Sequence, residues 1–159
     1  MRTRNPSLPA DFVDLLAAFA DADVRYLVVG GYAVGFHDRP RTTKDLDLFL
    51  DADRENMRRA CDALRMFGVP ESIVVDLEAA TPEEIVWLGV PPLRVDFLQA
   101  MKGASFGDAW DRRVVAEWDG VSVNIVSLDD LIEAKRAAGR PQDLVDMQNL
   151  ERTRLLRGG

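Results

Sequence analysis

Cysteine is nearly absent from the sequence, long apolar runs are absent, and positive charge is outnumbered by negative charge. Cys61 is the one cysteine among 159 residues, so no disulfide can form within the chain. No stretch approaches the roughly 20 apolar residues that cross a bilayer, and the first residues, MRTRNPSLPADF, lack the apolar segment of a secretory signal. We therefore expect a cytoplasmic protein that does not bind a membrane.

The formal net charge of −7 at pH 7 bears on the partners of the protein. Nucleic-acid surfaces need clustered Lys and Arg to contact phosphates, so this charge disfavours a broad nucleic-acid footprint. A local basic rim stays open, because Arg39, Arg41 and Lys44 stand close together, although a solvated face is the usual explanation of such residues. The composition, with 47% apolar residues, is that of a globular protein, and the length predicts a single domain over residues 1–159.

Helical and strand periodicities alternate along the chain. They predict, in order, helix, strand, helix, strand and helix, then further strands and two C-terminal helices. This order indicates an α/β or α+β fold, in which helices pack on a mixed β-sheet. Asp119-Gly120, between VVAEW and VSVNIVS, is the strongest hairpin signal. We interpret residues 72–78 as a strand, residues 81–84 (TPEE) as a helix start capped by its threonine, and residues 85–90 as a strand or a short helix.

Two acidic residues alternate with leucines in the segment DLDLFL, residues 45–50. The alternation predicts a strand, and because successive strand side chains point to opposite faces, Asp45 and Asp47 share one face. Their Cα atoms are then roughly 6.5–7 Å apart, a spacing at which two carboxylates could converge on one hard cation or on two neighbouring cations. The alternative is a solvated edge strand that carries two surface acids.

Four further features could contribute to a site. Gly30-Gly31 stands between a predicted strand and a predicted helix, where a backbone without Cβ atoms and the N–H groups of a helix start could receive a phosphate; a tight turn is the alternative. Asp96 interrupts the apolar strand LRVDFL, so it either faces solvent or is paired with a cation. Lys135 could reach phosphate oxygens as a point charge. Asp143 stands near the start of the last helix, where an acid also stabilises the helix dipole.

Together these residues resemble the DNA polymerase β-like nucleotidyltransferase superfamily. Its pattern is a Gly-Gly or Gly-Ser turn, a spacer, Asp-x-Asp or Asp-x-Glu on a strand, and a third acid on a neighbouring strand. Here that pattern stands as LVVGGYAVGFHDRPRTTKDLDLFL followed by LRVDFL. The tail LDDLIEAKRAAGRPQDLVDM is similar to the Lys and Lys-Asp-x-x-Asp part of the small bacterial AbiEii-type toxin nucleotidyltransferases, except that Gln142 stands where a basic residue is frequent.

The resemblance implies a minimal nucleotidyltransferase core that moves a nucleoside monophosphate from a nucleoside triphosphate to a hydroxyl or phosphate of an acceptor. The acceptor stays open among a small molecule, a tRNA and a protein, and the enzyme could belong to a toxin–antitoxin pair or form a homodimer. The competing hypothesis is a non-catalytic nucleotide-binding or regulatory (antitoxin) module of the same fold. The implied catalytic and metal-binding residues, with Mg²⁺ or Mn²⁺ as cofactor, are Asp45, Asp47 and Asp96. The implied nucleotide- and phosphate-binding residues are Gly30, Gly31, Thr43, Lys135 and Asp143.

Overall fold

The computed structural model describes residues 9–39, 45–90 and 93–158 of the chain. Helices and strands alternate through the first two thirds of these residues, and two helices close them. The elements are α1 (Ala10–Asp21), β1 (Tyr26–Val29), α2 (Gly30–His37), β2 (Asp45–Leu50), α3 (Arg54–Phe67), α4 (Glu71–Ala79), β3 (Val86–Leu88), β4 (Arg94–Leu98), α5 (Phe106–Asp111), β5 (Val114–Trp118), β6 (Val121–Ile125), α6 (Leu128–Ala138) and α7 (Pro141–Leu156).

Six strands of the described residues form one mixed sheet in the order β3-β4-β2-β1-β6-β5. β2 pairs in parallel with β4, and β1 pairs in parallel with β6. The pairs β1–β2, β3–β4 and β5–β6 are antiparallel. The predicted fold class, a mixed sheet packed with helices, is therefore confirmed. None of the helices in the described ranges combines the length and hydropathy that a membrane-spanning helix needs.

The core lies on the face of the sheet that the leucines of β2 share. Leu48 is fully buried there beside its register partner Phe97 on β4. The helix α1 covers this face, and its Phe19 ring lies 6.3 Å from the ring of Phe97 and 5.8 Å from that of Tyr26. Since strand side chains alternate between faces, burying these residues turns Asp45 and Asp47 to the opposite face.

Two of the predicted elements in the middle of the chain are wrong. Residues 72–78 lie within the helix α4, which follows Pro70 at its N-cap and buries Val74 and Leu77 three residues apart on one helical face. Residues 81–84 form a turn rather than a helix start. The residues 85–90 include the short strand β3, one of the two alternatives that the sequence left open.

The turn at residues 81–84 shows how a helix-capping pattern can close without a helix. The backbone N–H and hydroxyl of Thr81 both donate to Oε1 of Glu84, at 2.9 and 3.0 Å. The Glu84 N–H donates back to the Thr81 carbonyl at 3.0 Å. These hydrogen bonds pair polar groups of the turn with one another, and the chain then extends into β3.

The predicted hairpin is present between β5 and β6. Asp119 and Gly120 both have positive φ, 55° and 85° respectively. This is the requirement of a type I′ turn, whose twist matches that of the two strands it joins.

Candidate active site

A row of side chains crosses four strands on the face opposite α1. Asp47 on β2 is the register partner of Val29 on β1 and of Asp96 on β4. Asp96 is in turn the register partner of Trp87 on β3. Asp45 lies two residues before Asp47, on the same face of β2. Two of the three predicted acids, Asp47 and Asp96, are thus direct neighbours.

The ionisation of Asp47 is strongly disfavoured by this arrangement. Its pKa is raised from 3.8 to about 7, first by burial and then by the negative charges of Asp96 and Asp45 and a hydrogen bond with Asp96. The positive charge of Lys135 opposes the shift. Near pH 7 Asp47 is therefore protonated in part of the molecules, and a bound cation would favour its ionised form.

Gly30 makes room for Asp47. Its φ of +67° belongs to the left-handed region, and a Cβ atom built on it would lie 2.0 Å from Oδ2 of Asp47. The residue is also the first of α2, whose N-cap, Val29, has no side-chain acceptor for the first amides of the helix. The glycine thus allows the N-terminus of α2 to lie directly against the Asp47 carboxylate. A cation bound to that carboxylate and the free N–H groups of the helix could then hold the same anion.

Lys135 is held in place by two buried acids of α7. Its Nζ lies 3.4 Å from Oδ1 of Asp143 and 3.1 Å from Oδ2 of Asp146. Both acids are only 3% exposed, and the Lys135 side chain is 13% exposed. Arg140 Nε donates to Asp143 at 2.6 Å, and Gln142 Nε2 donates to Asp146 at 3.0 Å. The ammonium group is therefore restrained while its charge still acts on Asp47.

A cleft of about 260 Å³ joins these parts of the structure. Its remaining walls are mostly apolar and come from β4, α6 and the segment before β3. Asp45 and Gly31 are not part of its lining, although each is close in sequence to a residue that is. Thr43, Arg41 and Lys44 lie outside the described residues. The predicted site residues that line the cleft are Gly30, Asp47, Asp96, Lys135 and Asp143.

The carboxylates suit a hard divalent cation by their chemistry. Oxygen donors are the preferred ligands of Mg²⁺ and Mn²⁺. The pKa of Asp47 is raised first by burial and then by repulsion from Asp96 and Asp45, and a bound cation would stabilise the ionised form against both. In the described parts of the chain, no group of three or more His, Cys, Asp or Glu side chains is placed to hold a metal ion. The carboxylates available to such an ion are the neighbouring pair Asp47 and Asp96, with Asp45 on the same strand face.

Sequence reasoning missed Arg94. Its Nε donates to Oδ1 of Asp96 at 2.7 Å, and its guanidinium carbon lies 5.0 Å from the centre of the Trp87 ring. Arg94 is two residues before Asp96, so strand alternation alone places it on the face of the acids. Asp146 is not among the predicted site residues, yet it contacts Lys135 more closely than Asp143 does.

A match with a protein family shows to which family the chain belongs. Residues 11–155 match the family described as "Nucleotidyltransferase of unknown function (DUF6036)". The chain belongs to this nucleotidyltransferase family. The resemblance stated from the sequence and the prediction of an enzyme are thereby confirmed, and a nucleotidyltransferase requires a nucleoside triphosphate and an acceptor.

Three solved structures share the fold of this nucleotidyltransferase at low sequence identity. The lincosamide antibiotic adenylyltransferase LnuA, bound to lincomycin, has a TM-score of 0.58 and 14% identity over 92% of this chain and 98% of that one. A Thermotoga maritima protein described as a nucleotidyltransferase has a TM-score of 0.56 and 15% identity, over 99% and 94%. The antibiotic-resistance factor ANT(2'')-Ia has a TM-score of 0.54 and 14% identity, over 93% and 88%. None of the curated proteins compared with the chain matches it.

The pKa of Asp47 predicts a stability that depends on pH in metal-free protein. In the unfolded chain the group ionises near 3.8 and in the folded chain near 7, so between these values the folded state binds more protons. The contribution of Asp47 to stability is therefore present below about pH 4 and is lost as the pH rises to about 7. With EDTA present, Asp47→Asn is expected to raise the unfolding free energy at pH 8 by on the order of 2 kcal/mol and to change it little at pH 4.

Urea denaturation at the two pH values measures this difference. Asp108→Asn, an exposed acid on α5, serves as the matched control and should show no such difference. An equal effect of Asp47→Asn at both pH values would contradict the assigned repulsion.

The contacts of Lys135 predict a large loss of stability when its charge is removed. Lys135→Gln leaves the buried carboxylates of Asp143 and Asp146 without their ammonium partner, which is expected to cost about 3 kcal/mol of unfolding free energy. Lys102→Gln, at an exposed position, should cost less than about 0.5 kcal/mol. Denaturant unfolding at pH 7 compares the two variants, and similar values for both would show that the buried ion pairs do not hold α6 and α7 together.

Proposed function

We propose that this protein transfers a nucleoside monophosphate from a nucleoside triphosphate to a hydroxyl of an acceptor, with the help of a divalent cation. The observation that carries the proposal is one cleft lined by Gly30 at a helix N-terminus, by the neighbouring acids Asp47 and Asp96, and by Lys135. The helix N-terminus at Gly30 and the charge of Lys135 suit a phosphate chain, and the two acids suit a cation beside that chain.

The roles follow from the position of each group. Mg²⁺ or Mn²⁺, when bound by Asp47 and Asp96 with Asp45 nearby, would neutralise charge on the phosphate oxygens. The amides at Gly30 and Gly31 receive the outer phosphates, and Lys135 adds a fixed positive charge beside them. Because of the resemblance to the DNA polymerase β-like nucleotidyltransferases, we also assign Thr43 to the phosphate-binding residues. Asp143 acts through Lys135, whose ammonium group it restrains.

The transfer itself forms one bond and breaks one. The oxygen of the acceptor hydroxyl bonds to the α-phosphorus, and the bond from that phosphorus to the oxygen bridging to the β-phosphate breaks. Pyrophosphate carries away the electron pair of the broken bond. Asp96 takes the proton of the hydroxyl. Positioning and charge neutralisation thus supply most of the catalysis, as in phosphoryl transfer generally.

The setting of the reaction is part of the proposal. We assign residues 1–159 to one functional domain in the cytoplasm, with the acceptor among small molecules, tRNA and protein. A homodimer is compatible with this domain. The AbiEii-like tail favours a toxin–antitoxin role, for which growth arrest on expression, relieved by Asp47→Asn, is the test.

Pyrophosphate release tests the proposal. Purified protein is incubated with each of the four nucleoside triphosphates, Mg²⁺ and separate pools of small metabolites, tRNA and protein. Release that needs one pool and disappears in Asp96→Asn is the expected result. Nucleotide binding without release in any pool would instead support the regulatory module of the same fold.

A further inference from the structure

The order of the site residues across the sheet indicates where the acceptor approaches. Gly30 follows β1, Asp47 lies on β2, and Asp96 lies on β4. In a phosphoryl-type transfer the attacking and leaving oxygens are roughly in line on opposite sides of the phosphorus. If pyrophosphate leaves toward Gly30 and Lys135, as the proposed function states, the acceptor hydroxyl must arrive past Asp96, from the side of β3.

A second cavity lies on that side. It has a volume of about 390 Å³ and is lined by residues of α4 and of the segment Glu84 to Trp87. Ile85 lines this cavity and also the cleft of the acids, so the two spaces share a wall. Trp87, another lining residue, is the register partner of Asp96. The volume falls within the range of small-molecule sites, about 300–1,000 Å³.

The lining of this cavity combines apolar surface with negative charge. Ile73, Ile85 and Trp87 are the larger apolar residues of the lining, and Trp87 is 53% exposed. The charged side chains in the lining are the carboxylates of Asp76 and Glu84. An indole and two carboxylates attract an organic cation through cation–π contact and charge. The same carboxylates repel a polyanion such as tRNA.

The Trp87 ring already carries a cation in this structure. The guanidinium of Arg94 lies 5.0 Å from its centre and also bonds Asp96. The indole of Trp87 is therefore accessible to a cation, and Arg94 is not among the residues that line the cavity.

We propose that this cavity is the acceptor site, and that it takes a small organic cation that combines an apolar body with a hydroxyl group. The assignment rests on the proposed function for its direction of attack. It selects the small molecule among the acceptor classes that the sequence left open.

Two phenols of matched shape and opposite charge test the assignment. Tyramine carries an ammonium group, and 4-hydroxyphenylacetate carries a carboxylate. The indole N–H resonance of Trp87, identified by its loss in Trp87→Phe, reports binding by NMR. Tyramine is expected to shift this resonance in a saturable manner, and 4-hydroxyphenylacetate and tRNA are expected to leave it in place.

Charge-neutral variants locate the contact. Asp76→Asn/Glu84→Gln is expected to weaken tyramine binding by about tenfold, the loss of one charge-assisted contact. The matched control is Asp108→Asn/Glu117→Gln, which removes two exposed acids, one on α5 and one on the opposite edge strand β5, and should leave binding unchanged. The proposal is overturned if tyramine does not shift the resonance or if 4-hydroxyphenylacetate binds as tightly as tyramine. It is also overturned if Asp76→Asn/Glu84→Gln binds tyramine as tightly as the wild type does.

A titration of the same samples with ATP and Mg²⁺ separates this inference from the proposed function. The wild type and Asp76→Asn/Glu84→Gln should bind the nucleotide alike. Binding of nucleotide without binding of tyramine overturns the acceptor site alone. Absence of nucleotide binding in the wild type overturns the proposed function, and the acceptor assignment with it.

Discussion

Asp47→Asn is expected to abolish nucleotidyl transfer, with kcat/KM lower by about 1,000-fold or more. The substitution keeps the size of the side chain but removes one of two adjacent negative charges that would hold the divalent cation. Asn retains a single oxygen donor and an N–H group that faces Asp96, so the pair can no longer neutralise the phosphate charge through a bound ion. The measurement is pyrophosphate release with saturating Mg²⁺.

Stability separates this loss from misfolding. Because Asp47→Asn relieves the repulsion by Asp96 and Asp45, the variant is expected to unfold at a higher urea concentration than the wild type at pH 8 without metal. A folded, more stable and inactive variant is the predicted combination. Undiminished metal-dependent turnover in this variant would contradict the assignment of Asp47.

Gly30→Ala is expected to lower both stability and activity severely. The new Cβ atom would lie 2.0 Å from Oδ2 of Asp47, well inside van der Waals contact, on a backbone with φ of +67°. Asp47 or the start of α2 must therefore move, and either movement displaces the phosphate site from the acids. We expect a loss of about 3 kcal/mol of unfolding free energy and of about 100-fold or more in kcat/KM.

Gly68→Ala is the matched control for Gly30→Ala. Gly68 also has a positive φ, +98°, but a Cβ atom there would meet nothing within 4 Å. It ends α3 as a left-handed C-cap. Its replacement should cost only the backbone strain, on the order of 1 kcal/mol, with activity unchanged. Equal effects of the two substitutions would show that the contact with Asp47 has no special consequence.

Secondary structure could be predicted from the sequence where a local pattern is compatible with only one kind of element. The alternation of leucines with other residues in DLDLFL predicted β2. Asp119-Gly120 predicted the hairpin, since only residues that tolerate positive φ suit its turn. The run ESIVVDLEA misled because its adjacent β-branched residues favour a strand, whereas Pro70 and the spacing of Val74 and Leu77 favour the helix that forms.

The site shows a different limit. The resemblance grouped Asp47 with Asp96 and added Lys135 as a phosphate-binding residue. Local periodicity alone could not group them, because their proximity depends on the pairing of β2 with β4 and on the packing of α6. Strand alternation could have placed Arg94 beside Asp96. Its contact with Trp87 follows only once β3 is known to pair with β4.

Isothermal titration with ATP, CTP, GTP and UTP, with and without Mg²⁺, tests the central claim most directly. The wild type is compared with Asp45→Asn/Asp47→Asn, which keeps the shape of the strand and removes two charges. We predict that at least one nucleotide binds only when Mg²⁺ is present and that the double variant does not bind it. Failure of the wild type to bind any of the four nucleotides, or equally tight binding by the double variant, would contradict a nucleotide site at these acids.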